Sequence, residues 1–199
     1  IEDSAIHRSF FKAVVIHGTN GTRASRNVAY DVTGSAFYFQ DGVEEQNTID
    51  FNLAAHIHTI GPPVAHGNLH AQNLPTIYET ENLVDPVDTT ASGFYISNAY
   101  NNIVGNAGVG GFSCYHFPNL PKPIFLHRAT EIKPYTRPIL SFDGNSCRSS
   151  GYWWVKMGGI YFGGVFMHTE ENSDPDQQLQ YNPGRGGSFD ACSINPYYE

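Results

Sequence analysis

The residues able to do chemistry crowd into a few places. One is FYFQDGVEEQNT, residues 37 to 48, where Asp41, Glu44 and Glu45 follow an aromatic run. Glycoside cleavage needs two carboxylates about 5 to 10 Å apart across a groove, and calcium takes clusters of carboxylate and carbonyl oxygens. Asp41 and Glu44 are therefore candidate catalytic residues, with His17 as their acid/base partner. Asp41, Glu44 and Glu45 together are a candidate calcium site, which makes calcium a candidate cofactor. A lyase would add a cation near the sugar ring, for which Arg23 or Arg26 could serve. The plainer reading is a solvated turn, opened by Asp41 and closed by Gly42 at positive φ.

A second group is His56-x-His58, followed by His66 and His70. Residues i and i+2 of a strand share a face, so two imidazoles plus one from a loop could bind zinc or copper. No Cys accompanies them, and the spacing matches no recognised signature. The third group is aromatic: Tyr152, Trp153 and Trp154, with Tyr95 and Tyr115. Strand alternation sends Trp153 and Trp154 to opposite faces. Exposed rings on a flat sheet stack on the apolar face of a pyranose. Tyr95, Tyr115, Trp153 and Trp154 are accordingly candidate glycan-binding residues, and packing beneath loops is the competing assignment. The sequon Asn20-Gly21-Thr22 makes Asn20 a candidate glycosylation site on a surface turn.

What must position these groups is strand and turn, not helix. Charged residues make up 15% of the chain and aromatics 14%, with 20 Gly and 12 Pro. That is the palette of pleated surfaces and tight turns, and no window holds a 3.6-residue apolar period. The net charge of −8 provides no basic face for phosphate, so nucleic acid is excluded as a partner. No 18-residue apolar run exists, so no membrane-spanning helix is expected. There is no nucleophile elbow, P-loop or dinucleotide fingerprint. Cys114, Cys147 and Cys192 cannot all pair with one another, leaving one free or paired elsewhere.

The organising feature is an internal repeat of roughly 24 residues. With Asp3 over Asn27, DSAIHRSFFKAVVIHG lies on NVAYDVTGSAFYFQDG without a gap. Ala5 then meets Ala29, Val15 meets Phe39, and His17-Gly18 lies beside Asp41-Gly42. NTIDFN (47 to 52) repeats as NNIVGN (101 to 106), and a further unit opens at Asn145. Repeats this short, built of strands and turns, predict a right-handed parallel β-helix whose repeated Asn residues form ladders at the corners. Residues 59–90 and 118–138, rich in proline, are predicted as irregular insertions, and about 170–199 as a loop-rich tail. The whole of 1–199 reads as one β-helix region of a larger protein.

The run carrying IHGT, NVAYD, GSAFYFQDG and NLA (16 to 54) resembles the β-helix of fibrocystin, fibrocystin-L and the related cell-surface hyaluronidases. ASGFYISNAYNNIVGNAGVGG is similar to a later coil of that family. Ser35 and Gln40 stand where the family often has His and Glu. The resemblance implies an extracellular scaffold module of a large cell-surface or ciliary glycoprotein, serving assembly, adhesion or carbohydrate contact. Its implied partners are neighbouring modules, glycans or other extracellular glycoproteins. The alternative it implies is a hyaluronan-like glycan depolymerase.

Overall fold

A computed structural model describes residues 1–58, 91–151, 158–168 and 179–182. The unit of construction is the corner. Asp3, Arg26, Phe51, Gly105 and Gly144 all have positive φ, and the next residues, Ser4, Asn27, Asn52, Asn106 and Asn145, stack above one another. Each Asn carboxamide accepts the backbone N–H of the coil before it. Ser4 donates to Asn27, Asn27 to Asn52, Asn52 to Asn106 and Asn106 to Asn145, at 2.9 to 3.1 Å. A second ladder runs from the Thr22 N–H to Asn47 and from the Asn47 N–H to Asn101. A side-chain amide supplies both donor and acceptor, so it satisfies backbone groups that a sharp bend removes from the sheet.

Between corners the chain forms short strands in three parallel sheets. One contains β1 (Ala5–Ser9), β4 (Val28–Thr33), β7 (Leu53–His58), β10 (Ala107–Gly110) and β13 (Ser146–Arg148), in that order. The second runs β2 (Val14–Ile16), β5 (Phe37–Phe39), β8 (Phe94–Tyr95), β11 (Tyr115–Asn119) and β14 (Ile160–His168). The third stacks β3 (Arg23–Ser25), β6 (Thr48–Asp50), β9 (Asn102–Val104) and β12 (Ser141–Asp143). Successive coils pair strand on strand in parallel, which is a parallel β-helix. Gly163 and Gly164 lie within a single strand, β14. Within the predicted tail, β15 (Leu179–Asn182) pairs antiparallel with β14 and is the edge strand of this sheet among the described residues.

The core is a set of columns along the stack. Phe37, Phe94 and Tyr115 lie face to face at 4.9 Å spacing, and Tyr38 stacks on Tyr95 at the same distance. Such pairs contribute about 0.5 to 1.5 kcal/mol each beyond their buried area. Tyr95 and Tyr115 are 2% and 0% exposed. They are core residues, so the expectation that they present a face to sugar is corrected. Tyr115 donates its hydroxyl proton inward to the Asn106 carbonyl at 2.8 Å, and burial pushes its phenol well above the ordinary range.

The first coil is one residue shorter than the gapless repeat implied. Ala5 pairs with Val28, Ile6 with Ala29, and Ile16 with Phe39, an offset of 23 residues. Val15 is 43% exposed, while Phe39 is core. Ser4, not Asp3, occupies the ladder slot, and Asp3 holds the positive-φ position before it. A one-residue slip exchanges the two faces of a strand, so the Ala5–Ala29 and Val15–Phe39 columns do not form. The later registers agree with the repeat: Ile49 pairs with Ile103, and Asn106 reaches Asn145.

A disulfide joins Cys114 to Cys147 across neighbouring coils, 33 residues apart. Cys192 lies outside the described residues. A Cβ at Gly108 would come within 2.5 Å of the Cys114 Cβ, so the small residue makes room for the bridge. Closing a loop of this length is expected to contribute about 3 to 4 kcal/mol. Replacing Cys147 with Ser is therefore expected to lower the urea midpoint accordingly; an unchanged midpoint would show the bridge is not formed.

Candidate functional site

The acidic turn belongs to one corner of the helix, which every coil visits between the second and third sheets. Residues 17–22, 40–47 and 96–101 stack there. The chain passes it again after β11, in the longer segment 120–140, whose only regular pieces are 3-10 turns at Phe125–His127 and Pro134–Thr136. This is the insertion predicted over 118–138. Because it leaves from the corner that carries the acidic turn, it folds back over that turn. The Ile124 N–H donates to the Asp41 carbonyl at 3.0 Å. Gly18 and Gly42, both at positive φ, form its floor. A Cβ on Gly18 would meet His127 at 2.5 Å, and one on Gly42 would meet Leu120 at 2.6 Å and Pro134 at 2.9 Å.

The three carboxylates have different surroundings. Glu44 is buried, and its oxygens accept three backbone N–H groups: Gly18 at 2.9 Å, Asp41 at 3.0 Å and Gly42 at 2.8 Å. It holds the turn together and faces no groove. Glu45 accepts from the Asn98 amide at 3.0 Å and from Arg137 Nη2 at 2.9 Å. The Arg137 guanidinium also lies over the Tyr100 ring, 4.4 Å from its centroid. Asp41 is fully buried and faces two imidazoles: His127 Nδ1 at 2.6 Å and His17 Nε2 at 3.3 Å, both from Oδ2. His17 therefore does meet Asp41, as the repeat suggested. His127 and Arg137 complete the site and were not among the candidates. Arg23 and Arg26 are engaged elsewhere, with Asp50 and with Asp3 and Glu2.

Asn20 is exposed on its turn and accepts the Glu45 N–H through its carboxamide oxygen at 2.9 Å. Trp153 and Trp154 lie outside the described residues, as do His66 and His70. His56 and His58 do come together, with rings 4.0 Å apart, and Asp31 joins them at 3.8 and 3.0 Å. Positive φ at Asp31 and His56 bulges both strands, so His56 and His58 share the outer face while Ile57 stays in the core. Asp31 could have been found from the sequence. The ladder offset from Asn27 to Asn52 carries it onto His56.

A family model described as the CEMIP beta-helix matches residues 1–153. The chain belongs to this family. Protein rliB of Dictyostelium discoideum is 46% identical over 185 residues, covering 93% of this chain and 16% of that protein. Communication mutant protein F of the same organism is 43% identical over 187 residues, with 94% and 16% covered. Fibrocystin-L of Mus musculus is 30% identical over 111 residues, 56% of this chain and 2% of its own length. The chain thus spans about a sixth or less of the relatives it matches. The resemblance to fibrocystin-L read from IHGT, NVAYD and the Asp-Gly turn agrees with these matches. Among the described residues no helix is long and apolar enough to cross a membrane.

Proposed function

We propose that these CEMIP-family coils are a non-catalytic scaffold of a large extracellular, surface-associated glycoprotein, serving assembly, adhesion or carbohydrate contact. One observation carries this reading: the corner carboxylates are already engaged within the fold. Glu44 is held by three backbone N–H groups, Glu45 by Arg137 and Asn98, and Asp41 is buried beneath two histidines. Glycoside cleavage needs two carboxylates facing the substrate across a gap. The Cys114–Cys147 bridge suits an oxidising compartment, and the presence of fibrocystin-L among the relatives supports a surface setting.

The competing reading is glycan depolymerisation, with Asp41 and its histidines at the reacting bond. The full chain, assayed on hyaluronan and other glycans, is expected to leave polymer length unchanged, as is Asp41→Asn. Cleavage by the intact protein that disappears in Asp41→Asn would overturn the scaffold reading.

A further inference from the structure

Two groups of metal-ligating side chains lie among the described residues: His17, Asp41 and His127, and Asp31, His56 and His58. Only the first carries a mark of a missing partner. The Oδ1 of the fully buried Asp41 has no hydrogen-bond donor, although its other oxygen faces two imidazoles. A buried carboxylate oxygen left this way costs about 1 to 3 kcal/mol, and folded proteins seldom leave one without reason. Glu44 cannot compensate, since its oxygens hold the turn.

The ligand atoms of His17, Asp41 and His127 lie within 4.8 Å of one another. The two imidazole rings stand edge to face at 87°, with centroids 6.1 Å apart. Two imidazoles and one carboxylate suit zinc, whereas calcium takes six to eight oxygens. We propose that His17 Nε2, the Asp41 carboxylate and His127 Nδ1 bind one divalent transition-metal ion, zinc foremost, which clasps segment 120–140 to the coil stack.

Tetrahedral zinc ligands at about 2.0 to 2.2 Å from the metal stand about 3.3 Å apart. His17 is already at that distance from Asp41, and His127, now at hydrogen-bonding distance, moves outward by about 0.7 Å on loading. His17 and His127 side chains are 37% and 36% exposed, so the fourth position opens to solvent and takes water. Gly18 is part of the design, because any side chain there would occupy the space of the His127 ring. This clasp stands apart from the scaffold reading: it concerns metal content and loop attachment, and it holds or fails whether or not any glycan is cleaved.

The test uses the full chain, stripped with a chelator and titrated with zinc by calorimetry, with metal content checked by mass spectrometry. His127→Ala is expected to remove one zinc per chain, or to weaken that site by more than the roughly 10- to 100-fold typical of losing an outer-shell partner. His17→Ala is expected to do the same from the other side of the ion, and His58→Ala to change nothing at this site. Zinc is further expected to slow tryptic cutting after Arg128 in the wild type but not in His127→Ala. Equal zinc content and affinity in the wild type, His127→Ala and His17→Ala overturns the proposal. If His127→Ala loses the β-sheet circular dichroism of the wild type, the comparison rests on His17→Ala, whose residue lies on a different loop.

Discussion

Glu44→Ala is expected to lower the unfolding free energy by about 3 to 6 kcal/mol, seen as a fall in urea midpoint. Hydrogen bonds to a charged acceptor contribute about 1.5 to 3 kcal/mol each, and a buried donor left unpaired costs about 1 to 3. The substitution leaves three such donors, the N–H groups of Gly18, Asp41 and Gly42. Their losses overlap, because they share one carboxylate. Against a typical stability of about 5 to 15 kcal/mol, this is a large fraction. Glu44→Gln keeps one acceptor oxygen but turns an NH2 toward a backbone N–H, so about half the loss is expected. The neighbouring Glu45→Ala gives the contrast. Its partner Arg137 is about a third exposed, and pairs in that setting contribute about 1 kcal/mol or less. Equal effects at 44 and 45 would refute this account of the turn.

Asn52→Ala is the second large effect, expected at about 3 to 5 kcal/mol. Asn52 accepts the Asn27 N–H at 2.9 Å and the Asn27 side-chain amide at 3.0 Å. It donates to the Ala24 carbonyl at 2.9 Å and to the Asn106 carboxamide at 3.0 Å. All of this is buried, so alanine leaves both a backbone donor and a backbone acceptor without water or partner. Asn52→Asp retains the acceptor for Asn27 and loses the donor to Ala24, so an intermediate loss is expected. Amide exchange of Asn27 should speed up in both variants, more in Ala than in Asp. Protection unchanged at Asn27 would show that the ladder contributes little.

These two positions also mark where the sequence was readable and where it was not. The Asn ladder announced itself, because a corner that needs a carboxamide repeats that residue from coil to coil, at Asn27, Asn52, Asn106 and Asn145. The insertion at 118–138 was equally plain, since prolines interrupt strand patterning. The first-coil register was not, because Asp3 and Asn27 look alike while playing different parts. Positive φ, which distinguishes them, leaves no mark on a residue such as Asp3, Arg26 or Phe51. The burial of Tyr95 and Tyr115 was hidden for a similar reason: a ring that stacks on the next coil and a ring that stacks on a sugar have the same composition around them. His127 and Arg137 reach the acidic turn across 86 and 92 residues. Only the path of the chain, returning to one corner after β11, shows that they must meet it.

The ladder has a consequence for how such proteins change length. Each Asn passes its own N–H to the coil ahead and takes one from the coil behind, so every coil carries matching halves of two interfaces. Residues 27–51 are in that sense a cassette. A tandem duplication of that stretch in the gene would lengthen the rod by one inter-strand spacing, about 4.8 Å, without altering its cross-section. Coil number can therefore drift between relatives, while the loops at a given corner diverge independently.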